Sequence, residues 1–279
     1  MTFPNKSLLF FKVCYYCIIK MNLKLGILQG RLSPKVDNCI QEFPKDTWKK
    51  EFDLLLNELQ LNHIEWLITK NSFIDNPLFK EDLSKFPISS ICCDNLIDDN
   101  IDYPWFLSNN LDPVCESAIK NNIKNITIPL LEQSNMENND KRESFCDTIK
   151  KYGEKYKKLN FTFEVELHPL KLLEIIDLSD NFYVTYDTGN ITSCGFSHNY
   201  YLYYLHHKIN NIHLKDRNFK GESFSPGKGN TDFELIFQLL KKYKYDGFYT
   251  MQTAREGISG DEINTVLKHK NYFLKLLMK

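Results

Sequence analysis

The sequence carries no surplus of charge. Lys plus Arg total 35 against 36 Asp plus Glu, and the net charge of -1 gives no overall attraction to a nucleic-acid backbone or an anionic membrane. An anionic ligand would need a local cluster of cations. No linker, low-complexity tract or charge block divides the chain. No G-x-G-x-x-G follows the first strand-like segment, so a dinucleotide-binding sheet has no support. Small-domain cysteine spacing is missing as well: Cys14, Cys17, Cys39, Cys92, Cys93, Cys115, Cys146 and Cys194 are scattered through a long chain. That pattern reads as free thiols in a reducing, cytoplasmic compartment. Cys14 and Cys17 have C-x-x-C spacing without a second pair, and no metal or redox role is assigned to them. What is present is ordinary globular material, 42% hydrophobic, 14% aromatic and 25% charged. It suffices for a substantial core and excludes disorder, a collagen-like chain and a membrane bundle.

No apolar run is long enough to span a bilayer. Leu8 to Ile19 is apolar apart from Lys12, short of the roughly 20 residues a spanning helix needs. No small-residue cleavage site follows it, so it makes a poor secretory signal. A second methionine, Met21, stands directly before the strand-like Leu23-Lys24-Leu25-Gly26-Ile27-Leu28. Residues 1–20 are therefore expected to be an upstream extension or a misplaced start, dispensable for stability and activity, and 21–279 to form one domain.

At roughly 150 residues per domain the length gives about 1.9 domains, yet α/β barrels run to about 250 residues as one unit. From Met21 the chain alternates short β-branched or apolar runs with longer periodic segments, the signature of βα units and a parallel sheet. Strands are expected at Leu23 to Leu28, His63 to Leu67, Ile88 to Cys93, Ile126 to Leu130, Phe161 to Val165, Phe182 to Tyr186, Asn211 to Leu214 and Phe248 to Gln252. Between them, Trp48, Phe52, Leu55, Leu56 and Leu59 recur at helical spacing and predict one amphipathic helix. Asp112 before Pro113 predicts a capped helix through Ile119. Thr231 and Glu234 have capping-box spacing ahead of Leu235, Ile236, Leu239 and Leu240, and an amphipathic segment from Asp261 to about Leu277 closes the chain. Eight strands alternating with helices predict an α/β fold, a single (β/α)8 barrel, whose chemistry sits at the C-terminal strand ends.

Those ends carry a consistent set of donors. The fifth strand ends in Phe163-Glu164-Val165-Glu166, the sixth in Tyr186-Asp187-Thr188-Gly189-Asn190, the seventh reads His213-Leu214-Lys215-Asp216-Arg217, and the eighth ends Gln252-Thr253-Ala254-Arg255. A Glu, an Asp and a His on successive ends of a closed barrel converge near its axis. Oxygen donors with one imidazole suit one divalent ion, Mn²⁺, Mg²⁺ or Co²⁺ ahead of Zn²⁺. Arg31, Lys215, Arg217, Lys228 and Arg255 add cations at the same end. Arg grips phosphate or carboxylate with two parallel hydrogen bonds, so a small anionic sugar, a sugar phosphate or sugar acid, is the expected substrate. Tyr200, Tyr201, Tyr203 and Tyr204 read as helix packing that also offers a contact for a homo-oligomer, rather than a base-stacking platform.

Order and spacing of several segments carry a resemblance. Gly26-Ile27-Leu28-Gln29-Gly30-Arg31-Leu32-Ser33-Pro34, Ile40-Gln41-Glu42-Phe43-Pro44, His63-Ile64-Glu65-Trp66, Ile128-Pro129-Leu130, Tyr186-Asp187-Thr188-Gly189-Asn190, His213-Leu214-Lys215-Asp216-Arg217, Gly227-Lys228-Gly229-Asn230-Thr231-Asp232-Phe233 and Gln252-Thr253-Ala254-Arg255 together resemble the xylose isomerase-like TIM barrels, in particular the sugar phosphate isomerase/epimerase group. The resemblance implies a metal site of Glu164, Asp187 and His213, with Gln252 where the family usually has a fourth, glutamate ligand. The Glu-x-x-Leu-x-Pro run from Glu164 to Pro169 favours Glu164 over Glu166.

Isomerisation or epimerisation of a keto sugar begins with removal of a proton next to the carbonyl, through an enediolate that a divalent cation stabilises. The related epimerases use two glutamates on opposite faces of the substrate. An amide has no exchangeable acid proton near neutral pH, although its carbonyl can bind a metal. The resemblance thus implies Glu164 and Gln252 as the catalytic pair, with Arg31, Glu65, Lys215, Arg217, Lys228 and Arg255 contacting substrate. Glu164 would act as sole base, favouring a 1,2-aldose-ketose shift, or a second acid such as Glu65, Glu132 or Glu256 would assist. Dehydration of a sugar acid or inositol-type substrate is the alternative chemistry on the same barrel, and sugar binding without catalysis is the alternative role. Phosphodiester hydrolysis of the AP-endonuclease kind needs several His ligands and a basic face, and only His213 stands clearly at a strand end.

Overall fold

The computed structural model describes residues 23–256 and 260–278. The expected extension at 1–20, with Cys14 and Cys17, lies outside the described residues. Strands β1 (Lys24–Leu28), β2 (Ile64–Ile68), β3 (Ile88–Cys93), β4 (Asn125–Leu130), β5 (Asn160–Val165), β6 (Phe182–Asp187), β7 (Ile209–Leu214) and β8 (Phe248–Met251) are parallel. They close in chain order into a barrel, β8 pairing with β1. Helices α1 (Trp48–Asp53), α2 (Pro104–Asn110), α3 (Asp112–Lys120), α4 (Asn139–Lys155), α5 (Pro169–Ile176), α6 (Thr188–Ser193), α7 (His198–Leu205), α8 (Phe233–Lys242) and α9 (Glu262–Leu277) surround it. The expected barrel therefore forms, and every expected strand is present. The largest shift of a strand end is at β7, which starts at Ile209 rather than Asn211. A short antiparallel pair, Asp216–Arg217 with Ser223–Phe224, was not expected.

Alternation along each strand explains both the apolar look of the segments and the polar lumen. Outward residues such as Ile91, Ile126, Phe161, Phe163, Val184 and Ile212 are fully buried beneath the helices, each contributing about 1.5–3 kcal/mol of burial. Inward residues of the same strands are Thr127, Thr162, Thr185, Asn211 and Thr250, all buried and polar. Thr162 and Thr185 share a hydroxyl hydrogen bond of 2.6 Å, and Thr250 donates to Asn211 Oδ1 at 3.1 Å. The lumen is thus a hydrogen-bonded stack rather than the branched aliphatic filling common in such barrels.

Three local expectations are corrected. The helix from Trp48 stops at Asp53 and continues as a π-turn over Leu54–Glu58. Leu56, on the flank of the predicted stripe, is half exposed, while Trp48, Phe52, Leu55 and Leu59 are buried. Asp112 does not cap α3. α2 runs directly into that helix through Leu111, and the Asp112 carboxylate instead receives Lys155 Nζ at 2.8 Å and Tyr156 OH at 2.9 Å. The cap of α8 is Asp232, accepting from Leu235 N at 3.0 Å, because the Thr231 amide is drawn inward to Asp216 Oδ1 at 3.1 Å. The six described cysteines are free thiols, and among the described residues no helix is long and apolar enough to cross a membrane.

Candidate functional site

Glu164, Asp187 and His213 stand two residues beyond Thr162, Thr185 and Asn211, one pleat nearer the C-terminal mouth of the lumen. The register pairs Glu164 with Thr185 and Asp187 with His213. All three are essentially buried, and one donor atom from each lies within 4.8 Å of the other two.

Each side chain is held by one atom and free at another. Asp187 closes β6 and caps α6: its Oδ1 accepts from Asn190 N at 2.7 Å, while its buried Oδ2 has no hydrogen-bond partner. Glu164 Oε1 accepts from Asn190 Nδ2 at 3.1 Å. His213 Nε2 donates to Glu65 Oε2 at 2.7 Å, which leaves Nδ1 facing Glu164 Oε2 at 3.3 Å. That pair is not aligned as a hydrogen bond. Two donor atoms each about 2.1 Å from one ion, at near right angles, stand about 3 Å apart, so the spacing fits shared coordination.

The electrostatics agree with that reading. Burial pushes the Glu164 carboxyl upward, with His213 opposing it. Burial alone would lower His213, but the carboxylates Glu65 and Glu164 outweigh it and hold the ring well above the usual histidine range. A divalent cation at Nδ1 would replace that proton. A buried carboxylate oxygen without a hydrogen bond costs at least about 1–3 kcal/mol, and Asp187 Oδ2 and His213 Nδ1 both lack one in a cluster whose donor atoms lie within 4.8 Å of one another. The three residues therefore fit a divalent cation with open coordination positions, as catalytic sites require.

Glu65, expected to contact substrate, sits elsewhere. It has no exposure, and His213, Thr127 at 2.6 Å and Asn211 at 3.3 Å all donate to it. Ser90 and these donors with His213 overcome desolvation and hold its carboxyl at about 2. It is the carboxylate behind the histidine, which fixes ring orientation and basicity. Glu166 lies off the cluster and accepts Arg217 Nη1 at 3.2 Å. Glu256 is engaged by His269 Nε2 at 2.7 Å and by Ser225, and Glu132 is exposed on a turn.

Gln252 is buried just past β8. Its Oε1 accepts from Lys215 Nζ at 3.4 Å, and its Nε2 donates to Gln41 Oε1 at 3.3 Å. Lys215 Nζ also stands 3.9 Å from Asp187 Oδ2, so a cation bridges Gln252 and the cluster. Gly189 lets these side chains pack closely, since a Cβ there would lie 3.0 Å from Lys215 Cγ and 3.1 Å from Arg217 Cγ. Arg31 and Arg255 approach the same mouth, whereas Lys228 is exposed on its loop. Asp216, buried, anchors that loop by accepting from the amides of Gly227, Lys228 and Gly229.

Two residues escaped the sequence reading. Asp94, just after β3, accepts from Gln41 Nε2, and burial lifts its carboxyl to about 6. Reading the third strand end as the others were read would have found it. Gln41 lies in a quoted segment but on a loop, where no periodicity foretells direction.

Comparison with known proteins agrees with this architecture. Residues 122–272 match the family model described as Xylose isomerase-like TIM barrel. An inosose dehydratase from Clostridium botulinum (strain Alaska E43 / Type E3) is 26% identical over 120 residues, 37% of this chain and 40% of that protein, so the match spans well under two thirds of the relative. Among solved structures, the apo 3-keto-D-glucoside 4-epimerase YcjR of E. coli superposes with a TM-score of 0.65 at 14% identity, covering 91% of this chain and 99% of the epimerase. The IOLI protein with a bound zinc atom gives 0.69 at 15% identity, covering 90% and 98%. At such identities the two structures establish the fold alone.

Proposed function

Since the chain belongs to the xylose isomerase-like TIM barrel family, we propose that it is a divalent-metal-dependent sugar isomerase or epimerase, acting by proton abstraction next to a carbonyl. The observation that carries this reading is the convergence of the buried Glu164, Asp187 and His213 donors at the lumen mouth. These three residues would hold the ion, Mn²⁺, Mg²⁺ or Co²⁺ by donor chemistry, although a zinc atom is bound in the IOLI relative. When bound, the ion supplies Lewis-acid polarisation of the substrate carbonyl and hydroxyl.

The chain's own residues do the rest. Glu164, its carboxyl raised by burial, takes the proton from the carbon next to the carbonyl. Asn190 holds one oxygen of that carboxylate and so aims the other. Gln252 orients a substrate oxygen but exchanges no proton. With Glu65 sealed behind His213 and Glu256 tied to His269, neither serves as a base on the opposite face. Proton transfer on one face by Glu164 favours the 1,2-aldose-ketose shift. Lys215 places positive charge beside Gln252, where the family usually has a carboxylate, and suits an anionic substrate.

Dehydration is the second reading, favoured by the inosose dehydratase match. Incubating the protein with Mn²⁺ and a panel of ketoses, ketose phosphates and inososes in D₂O, followed by NMR, separates the readings. Deuterium at the carbon next to the carbonyl with every hydroxyl retained is the expected result, and loss of one hydroxyl marks dehydration. Glu164→Gln should abolish incorporation. Unchanged incorporation in that variant places the base elsewhere, and no turnover or metal uptake by the wild type leaves a sugar-binding barrel without catalysis.

A further inference from the structure

The chain has four arginines, and their charges are handled in two ways. Arg142 pairs with Glu174 at 2.8 Å and Arg217 with Glu166 at 3.2 Å. Arg31 and Arg255 have no carboxylate within ion-pair distance among the described residues. Arg31 is almost wholly buried, yet its guanidinium donates only to neutral oxygens, Ile40 O at 2.8 Å and Gln41 Oε1 at 3.1 Å, and its buried Nε–H has no partner. Arg255 donates to a neutral oxygen as well, the Ser33 carbonyl. Burial and the neighbouring Arg255 push the Arg31 guanidinium down to about 10, so the two positive charges act on each other. Carboxylates act on them at longer range, Asp94 and Glu51 on Arg31 and Glu51 and Glu262 on Arg255, but none makes contact: Glu51 accepts from the amides of Gly30 and Leu32, and Asp94 from Gln41.

Both arginines line one cavity of about 260 Å³ between the ends of β1 and β8, with Lys35 at its rim. Lys35 is exposed and makes no ion pair among the described residues. Two acids also line the cavity. Glu256 is taken by His269 and Ser225, and Glu262 accepts from Gly260 N at 3.0 Å. The cavity is coupled to the metal cluster by a continuous chain of contacts: Arg31 to Gln41, Gln41 to Gln252, Gln252 to Lys215, Lys215 to Asp187. Buried guanidinium charge without a carboxylate in contact is disfavoured, and a bidentate oxyanion is the partner that guanidinium geometry serves best.

We propose that this cavity is the subsite for the substrate's own anionic substituent, a phosphate or carboxylate gripped by Arg31 and Arg255 with Lys35 at the entrance. The assignment rests on the sugar-converting role proposed above, and it singles out the β1–β8 side of the mouth over the Arg217 and Lys228 side. Inorganic phosphate titrated into the full-length protein by calorimetry tests it. Wild type should bind, and Arg255→Gln and Arg31→Gln should each weaken phosphate at least tenfold. Lys35→Gln should weaken it two- to fivefold and, being exposed, keeps the test valid if the Arg31 variant fails to fold. Arg217→Gln should bind phosphate as wild type does. Ketose phosphates of five to seven carbons should displace the phosphate if the substituent is a phosphate, keto sugar acids of the same length if it is a carboxylate, and the parent ketoses should not displace it in either case.

No phosphate binding by wild type, or equal affinity in the Arg255 and Lys35 variants, overturns the subsite. Phosphate that neither a ketose phosphate nor a keto sugar acid in the panel displaces overturns its assignment to the substrate. Asp187→Asn should keep phosphate affinity while losing metal uptake, so a failure of the metal reading and a failure of the anion subsite give different results.

Discussion

The two ends of the barrel lumen are built from different chemistry. At the N-terminal end, His63 shares a hydrogen bond with Thr250 Oγ1, and Asn160 and Asn210 both donate to Asn125 Oδ1. These hydrogen bonds join neutral groups, with Lys24, Lys124 and Asp246 around the rim. At the C-terminal end, Glu164, Asp187, His213, Lys215, Arg31 and Arg255 crowd together. Among the described residues nine buried side-chain atoms lack a hydrogen-bond partner: seven (on Gln29, Arg31, Asn95, Asp187, Asn190, His213 and Arg217) stand at this end, and those of His63 and Asn210 at the other. Folding stability is served at one mouth and left incomplete at the other, which is the division a barrel needs if its open coordination and charge are to be completed by ligands.

The sharpest way to break this contrast is Asp187→Asn. It keeps an acceptor for the Asn190 amide but removes the free carboxylate oxygen, and it should lower kcat/KM on a confirmed substrate by about 10³-fold or more, a loss of roughly 4 kcal/mol. Steady-state kinetics at saturating Mn²⁺ check this, and unchanged turnover removes the site.

Next comes the pH response of the opposite end. Burial holds His63 down to about 4, Glu65 only partly offsetting it, below the ordinary 6.5. Between those values the unfolded chain binds more protons than the folded one. The stability from keeping His63 neutral is therefore complete above about pH 6.5 and lost as pH falls toward 4, by up to about 3 kcal/mol. His198, also held near 4 by burial, adds a loss of the same sign. Glu51 and Asp94, whose carboxyls burial raises to about 7 and about 6, act with the opposite sign, so the His63 share is read as the difference between wild type and His63→Gln in urea melts from pH 7 to 4.5, the variant losing less stability on acidification. An equal slope in the variant means that the acid response arises elsewhere.

Glu65→Gln sharpens the comparison at the boundary between the ends. Without a carboxylate behind it, His213 loses its fixed tautomer, and metal affinity should drop about 10–100-fold in a competition titration, while the melting profile without metal changes less. The smallest effect belongs to the amides: Asn160→Ala should cost about 1 kcal/mol by chemical denaturation and leave turnover as it was. A catalytic defect in that variant would show that the two ends are not separable.

Much of this division was legible from residue order. Alternating β-branched runs locate all eight strands, and because a barrel brings successive strand ends to its axis, the sequence brings a Glu, an Asp and a His together, the family resemblance selecting Glu164 over Glu166. Depth along the lumen was not legible. Glu65 and His213 are 148 positions apart, and nothing in either segment says that one sits beneath the other rather than facing substrate. The caps failed for a related reason. Thr231 and Asp232 are adjacent candidates, and only the tertiary pull of Asp216 on Thr231 leaves Asp232 to cap α8. Gln41 and Asp94 meet through a loop whose direction no period encodes.

Asp187 spends one oxygen on the start of α6 and turns the other into the lumen. The rotamer a ligand requires is consequently the rotamer the helix requires, so the carboxylate is aimed by folding itself. The entropy of ordering that donor has been met before any substrate or ion arrives, and occupancy of the lumen is mechanically linked to the first turn of α6.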